Sequence, residues 1–109
     1  MSYAPNKHLS NFAPAYAAIY PKLSQIIQRH GYAAAVHGSM TRDFDVVCIP
    51  WTPDASSMQE VVDELTGTFG LRHIEAPAKT MAHGRVEYKL CIAFGECVVD
   101  LSFMPRTPA

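Results

Sequence analysis

Charge is scarce in this chain. Only 17% of its 109 residues are Asp, Glu, Lys or Arg, and the formal net charge is -1. That balance excludes a broad basic surface for nucleic acid, while leaving room for a site that takes one nucleotide. Long apolar runs are absent, so no stretch reaches membrane-spanning length, and no basic segment followed by an apolar core suggests a signal peptide. The three cysteines, Cys48, Cys91 and Cys97, form no Cys-x-x-Cys pair, and the histidines follow no regular spacing, which argues against structural zinc. All three thiols sit in strand-like apolar runs and are expected to be buried and free, as in a reducing cytoplasm. Repeats, low-complexity stretches and linkers are missing too, so residues 1–109 are expected to form one domain with loose termini at 1–9 and 105–109. With 49% hydrophobic residues, the chain can bury a small core.

Ser10 or Asn11 can cap a helix that runs to His30, with Ile19, Leu23, Ile26 and Ile27 at helical spacing. Pro21 either kinks that helix or begins its main part. Gly31 suits the left-handed position that follows. Tyr32–Val36 and Phe44–Ile49 predict two strands. Their connection is too short for a parallel crossover, so direct pairing must be antiparallel. Ser56-Ser57-Met58-Gln59 has the pattern of a capping box. Met58, Val61, Val62, Leu65 and Phe69 continue it as an amphipathic helix. Leu71–Glu75 is a short strand candidate, and Ala76–Ala82 reads as loop. Arg85–Phe94 and Cys97–Met104 form a hairpin if Gly95-Glu96 is a two-residue turn. That register sets Cys91 opposite Asp100 and Lys89 opposite Ser102. It puts Val86, Tyr88, Leu90, Ile92, Val99, Leu101 and Phe103 on the core side, and Arg85, Glu87, Lys89, Asp100 and Ser102 on the other.

The chemistry is concentrated in Val36–Val47, Val-His-Gly-Ser-Met-Thr-Arg-Asp-Phe-Asp-Val-Val. Strand side chains alternate, so Asp43 and Asp45 share one face and Phe44 takes the other. Paired carboxylates repel unless a proton or cation separates them, and hard oxygen donors suit Mg²⁺ or Mn²⁺. Gly38 permits a close backbone approach to a ligand, and Ser39 adds a hydroxyl and an N–H. Asp100 is the odd residue of Val-Val-Asp-Leu-Ser-Phe.

Gly38-Ser39, then Asp43-x-Asp45 opening an apolar strand, then a lone aspartate in a later strand, resembles the nucleotidyltransferase superfamily that includes DNA polymerase beta and the minimal nucleotidyltransferases. The resemblance runs from about Pro21 to Phe103. It implies an α+β fold, with a mixed, mostly antiparallel sheet and helices packed on one face. It implies transfer of a nucleoside monophosphate from a nucleoside triphosphate to a hydroxyl. Asp43, Asp45 and Asp100 would then be catalytic and hold Mg²⁺ or Mn²⁺. Gly38 and Ser39 would cradle phosphates, and Arg42, Arg85 and Lys89 would contact phosphate oxygens.

Only Met40-Thr41-Arg42 separate Ser39 from Asp43, a shorter segment than the family has. A second domain to hold the base or acceptor is not expected within these residues, and that surface is expected from a homodimer mate or a partner protein. These departures motivate the alternative of a degenerate binding or regulatory module, antitoxin-like, on the same fold. The residues also have plainer readings. Asp43 and Asp45 can sit at a strand mouth neutralised by Arg42, and Asp100 can pair with Lys89 diagonally across the hairpin. His37 is expected to be a hydrogen-bonded structural histidine, and Trp51 a packed anchor rather than a stacking platform.

Overall fold

The computed structural model describes residues 11–92 and 97–106, the side chains of 75–77 excepted. Its elements are α1 (Ala13–Arg29), β1 (Tyr32–His37), β2 (Asp43–Pro50), α2 (Met58–Phe69), β3 (Leu71–Thr80), β4 (Val86–Ile92) and β5 (Cys97–Phe103). The described strands form one sheet in the order β1-β2-β5-β4-β3. β2 and β5 run parallel, and the other neighbours are antiparallel. The fold is therefore α+β with a mixed, mostly antiparallel sheet. Among the described helices, none is long and apolar enough to cross a membrane.

Both described helices lie on one face, the one on which the central strands bury their large apolar side chains. Phe44, Val46 and Cys48 of β2 and Val99, Leu101 and Phe103 of β5 are buried there. They meet Tyr16, Leu23, Ile26 and Ile27 of α1 and Val61, Val62 and Leu65 of α2. Tyr16 stacks on Phe44 with ring centroids 5.0 Å apart. Burial of this kind stabilises by roughly 25 cal/mol per Å² of apolar surface, so the helices' apolar stripes drive their docking. Cys48 and Cys91 are buried free thiols and Cys97 is half-buried. Burial pushes the Cys48 thiol up to about 12.

α1 is one continuous helix through Pro21, with Pro14 in its first turn. Ala17, whose carbonyl the proline leaves without its usual donor, is exposed to water like Pro21 itself, which makes the lost bond tolerable. The Asn11 side chain accepts from the Ala13 N–H at 2.9 Å, while Ser10 lies outside the described residues. The capping box of α2 is one residue later than the sequence pattern suggests. The Ser57 hydroxyl accepts from Glu60 N–H at 3.2 Å, and the Glu60 carboxylate accepts from Ser57 N–H at 3.1 Å. Ser56 is drawn away to His30, whose Nδ1 lies 2.8 Å from its hydroxyl and whose Nε2 lies 2.7 Å from Glu64. Arg29 also reaches Glu64, at 2.8 Å, so the end of α1 is tied to α2.

Two other expectations need correction. β3 continues to Thr80 instead of ending at Glu75, so most of the expected loop at 76–82 is strand. Its pairing with β4 shifts register between His73 and Glu75 and again between Glu75 and Lys79, which accommodates Pro77 at the sheet edge. The β4–β5 register differs by two residues from that of a Gly95-Glu96 turn: Lys89, not Cys91, stands opposite Asp100, and Glu87 stands opposite Ser102. A slip of two leaves every side chain on its face, so hydrophobic alternation cannot detect it. The turn itself lies outside the described residues.

Candidate active site

The parallel pairing of β2 with β5 puts Asp45 directly opposite Asp100. On the other side, β1 puts His37 opposite Asp45, and β4 puts Lys89 opposite Asp100. Four titratable side chains from four adjacent strands thus form a row, His37–Asp45–Asp100–Lys89, on the face without helices. Asp43 lies two residues before Asp45 on the same face and is exposed.

The row is electrostatically uneven. Asp100 is 7% exposed, and Lys89 Nζ lies 3.1 Å from its Oδ1 and 3.3 Å from its Oδ2. The same ammonium is 3.9 Å from Glu87. The plainer alternative for Asp100, a pair with Lys89, therefore forms, directly across rather than diagonally. Asp45 has a harder position. Burial first, and then Asp100 beside it, raises its pKa above the ordinary carboxyl value, with Asp43 adding and His37 opposing. The protonated Asp45 can share its hydrogen with Asp100.

The turn above this pair is tight. Gly38 (φ +78) and Met40 (φ +61) are both left-handed and bracket Ser39. A Cβ on Gly38 would stand 2.8 Å from Asp45 Oδ2, so this glycine lets the turn approach the carboxylate. Ser39 Oγ accepts from Thr41 N–H at 3.2 Å, which closes the turn on itself without a helix. Ser39 and Arg42 are exposed. Arg85 Nη1 donates to Ser102 Oγ at 3.1 Å, on the same face and two residues along β5 from Asp100.

One residue that sequence reasoning missed fixes the geometry from beneath. The Tyr16 hydroxyl donates to the Arg42 carbonyl at 2.5 Å and accepts from Val98 N–H at 3.0 Å. It therefore clamps the start of β2 to the start of β5, the two strands that carry Asp45 and Asp100. Burial raises its pKa to about 12, so it remains a donor. The only sequence signal was its place on the apolar stripe of α1. His37, read as structural, is exposed and beside Asp45. Trp51, read as a packed anchor, is 79% exposed: the chain leaves the sheet there, and nothing in the core receives the ring.

Among the described residues, no three His, Cys, Asp or Glu side chains converge to hold a metal ion by themselves. Asp45 and Asp100 nevertheless form a two-carboxylate donor set whose mutual repulsion a cation would relieve. Mg²⁺ is commonly held by one or two carboxylates, with water and substrate phosphates completing the shell. No protein-family model matches the chain, and no curated protein matches it.

Proposed function

We propose that this face is the site of a metal-dependent nucleotidyltransferase. It would move a nucleoside monophosphate from a nucleoside triphosphate to a hydroxyl acceptor, on a fold of nucleotidyltransferase type. The observation that carries the reading is the Asp45–Asp100 pair beneath the Gly38-Ser39 turn. Two directly opposed carboxylates, one of them resisting ionisation, suit a cation site. Asp45 and Asp100 would hold Mg²⁺ or Mn²⁺, with Asp43 at the rim. The bound ion supplies charge neutralisation for the phosphates.

The chain's own residues have the remaining tasks. The Gly38-Ser39 turn presents a hydroxyl and backbone close to Asp45, where phosphate oxygens would lie. Arg42 and Arg85 can receive those oxygens bidentately, while Lys89 offers a point charge. Asp100 would orient the attacking hydroxyl and accept its proton. Tyr16 acts through the strands it joins, and is a positioning residue.

One observation favours a second reading. Lys89 already covers both oxygens of Asp100. With the short segment between Ser39 and Asp43, this suits a degenerate module of the same fold that binds a partner protein and turns nothing over. The two readings separate on thermal melting with Mg²⁺ or Mn²⁺ and each nucleoside triphosphate. A ligand at 100 times its dissociation constant stabilises by about 2.7 kcal/mol. A metal-dependent shift in the wild type that disappears in Asp45→Asn supports the transferase. No shift with any nucleotide favours the module.

A further inference from the structure

The two edges of the sheet are built differently. β3 is interrupted by two register shifts and contains Pro77 and Lys79, features that protect an edge from pairing. β1, Tyr-Ala-Ala-Ala-Val-His, has no bulge, proline, lysine or carboxylate, and no described strand lies outside it.

The direction of its free groups follows from one bond. Trp51 N–H donates to Gly31 C=O at 2.8 Å, in register with the β1–β2 ladder. Alternation then makes Ala33–Ile49, Ala35–Val47 and His37–Asp45 the hydrogen-bonded pairs. Tyr32, Ala34 and Val36 turn their N–H and C=O groups outward. Pro50 stands opposite Tyr32, where β1 asks no N–H of it. This outward set is self-complementary. About a two-fold axis at Ala34, Ala34 faces its own copy and Tyr32 faces Val36, with every side chain kept on its own side of the sheet. The surrounding rim is apolar: Ile49 is 40% and Trp51 79% exposed, and Ala35 is open to water.

We propose that two copies of this chain pair antiparallel through β1, giving one continuous sheet, and that each copy contributes Trp51 to the other's site. In this register the partner's Gly31 falls beside His37. The partner's Trp51 falls one strand further, on the open face. The row becomes Lys89, Asp100, Asp45, His37, the partner's Gly31, the partner's Trp51. Strands lie about 4.8 Å apart, so the partner's Trp51 backbone stands about 14 Å from that of Asp45. An extended nucleotide with its phosphates at the aspartates spans that gap, passing His37 and the partner's Gly31, against which that copy's own Thr52 hydroxyl packs. The exposed indole becomes the base-stacking surface of the other copy's site. The dimer rests on backbone geometry alone, and the role of Trp51 rests on the nucleotidyl-transfer reading.

Sedimentation of the full chain over a range of concentrations, with amide exchange followed by NMR, tests the dimer. The expected result is a dimer in which Tyr32, Ala34 and Val36 amides exchange slowly and speed up on dilution. Ala34→Pro removes an outward N–H and none of the β1–β2 hydrogen bonds, so it should be a folded monomer. If that variant does not fold, the wild-type exchange decides alone. A wild type that is monomeric throughout, or a dimer with those three amides exchanging freely, overturns the proposal. Site sharing is read with Mg²⁺ and each nucleoside triphosphate. Trp51→Ala should remain dimeric and bind about tenfold more weakly, the scale of one lost stacking contact. Mixing it with Asp45→Asn should restore one intact site per mixed dimer. Unchanged affinity in Trp51→Ala overturns the sharing while the transferase reading survives. A dimer that binds no nucleotide removes the transferase reading and the sharing together, and leaves the β1 pairing intact.

Discussion

The two faces of β2 and β5 are made by alternate residues of the same strands, and they respond oppositely to being folded. Phe44, Val46, Val99 and Leu101 gain by leaving water. Asp45 and Asp100, between them in sequence, are brought together against their mutual repulsion. The helix-covered face stabilises the protein, and the open face draws on that stability to hold two carboxylates side by side. A strand cannot move one set without moving the other, so the core fixes the register of the site. Tyr16 joins the two faces, because its ring packs on Phe44 while its hydroxyl ties the strands that bear the aspartates.

The sharpest way to break this contrast is at its apolar side. Phe44→Ala opens a cavity under the sheet and removes the stacking partner of Tyr16. It should cost about 3–5 kcal/mol, enough to unfold a marginal domain, and urea denaturation would measure it. Tyr16→Phe is a gentler cut. The ring and its packing remain, but Val98 N–H loses its acceptor and the Arg42 carbonyl loses its donor. The loss should be about 1–3 kcal/mol. Any metal-dependent nucleotide binding should weaken along with it, which a purely structural role would not require.

Much of the open face could be read from alternation alone. Asp43 and Asp45 sharing a face, and Asp100 opposite the core side of its strand, follow from a period of two. That period also placed Tyr88, Leu90, Ile92, Val99, Leu101 and Phe103 of the hairpin on the core side, where they pack, although its register was two residues off, since such a slip is invisible to polarity. The side-by-side placement of Asp45 and Asp100 depends on β2 and β5 pairing in parallel, a contact between residues far apart in sequence that local pattern does not encode. The family resemblance implied that the two would meet, without giving their register. Tyr16 was hidden for the opposite reason. It sits on an apolar stripe where a tyrosine looks like core, and only the fold shows where its hydroxyl lands. Trp51 was misjudged because a large aromatic after a strand normally finds a core, and here the chain has already left it.

The polar side responds with the opposite sign and a smaller amplitude. The folded protein holds the Asp45 carboxyl above its ordinary value of 3.8, chiefly through burial and then through Asp100. The folded state therefore binds a proton more tightly than the unfolded chain does, and stability falls as pH rises through the interval between the two values. Above that interval the destabilisation is complete, and below it Asp45 is protonated in both states and contributes none. Asp45→Asn removes the titration. At neutral pH the variant should melt a few degrees above the wild type, since about 1 kcal/mol moves the midpoint by about 4–8 °C in a domain of this size. The advantage should vanish below the ordinary carboxyl range, where wild type and variant present similarly neutral groups. Mg²⁺ sharpens the test: bound at the pair, it raises the wild-type midpoint towards that of the variant and leaves the variant unmoved. If the variant melts lower at neutral pH, the Asp45 carboxylate is held by attraction rather than against repulsion, and the two faces of the sheet are not opposed in the way their geometry implies.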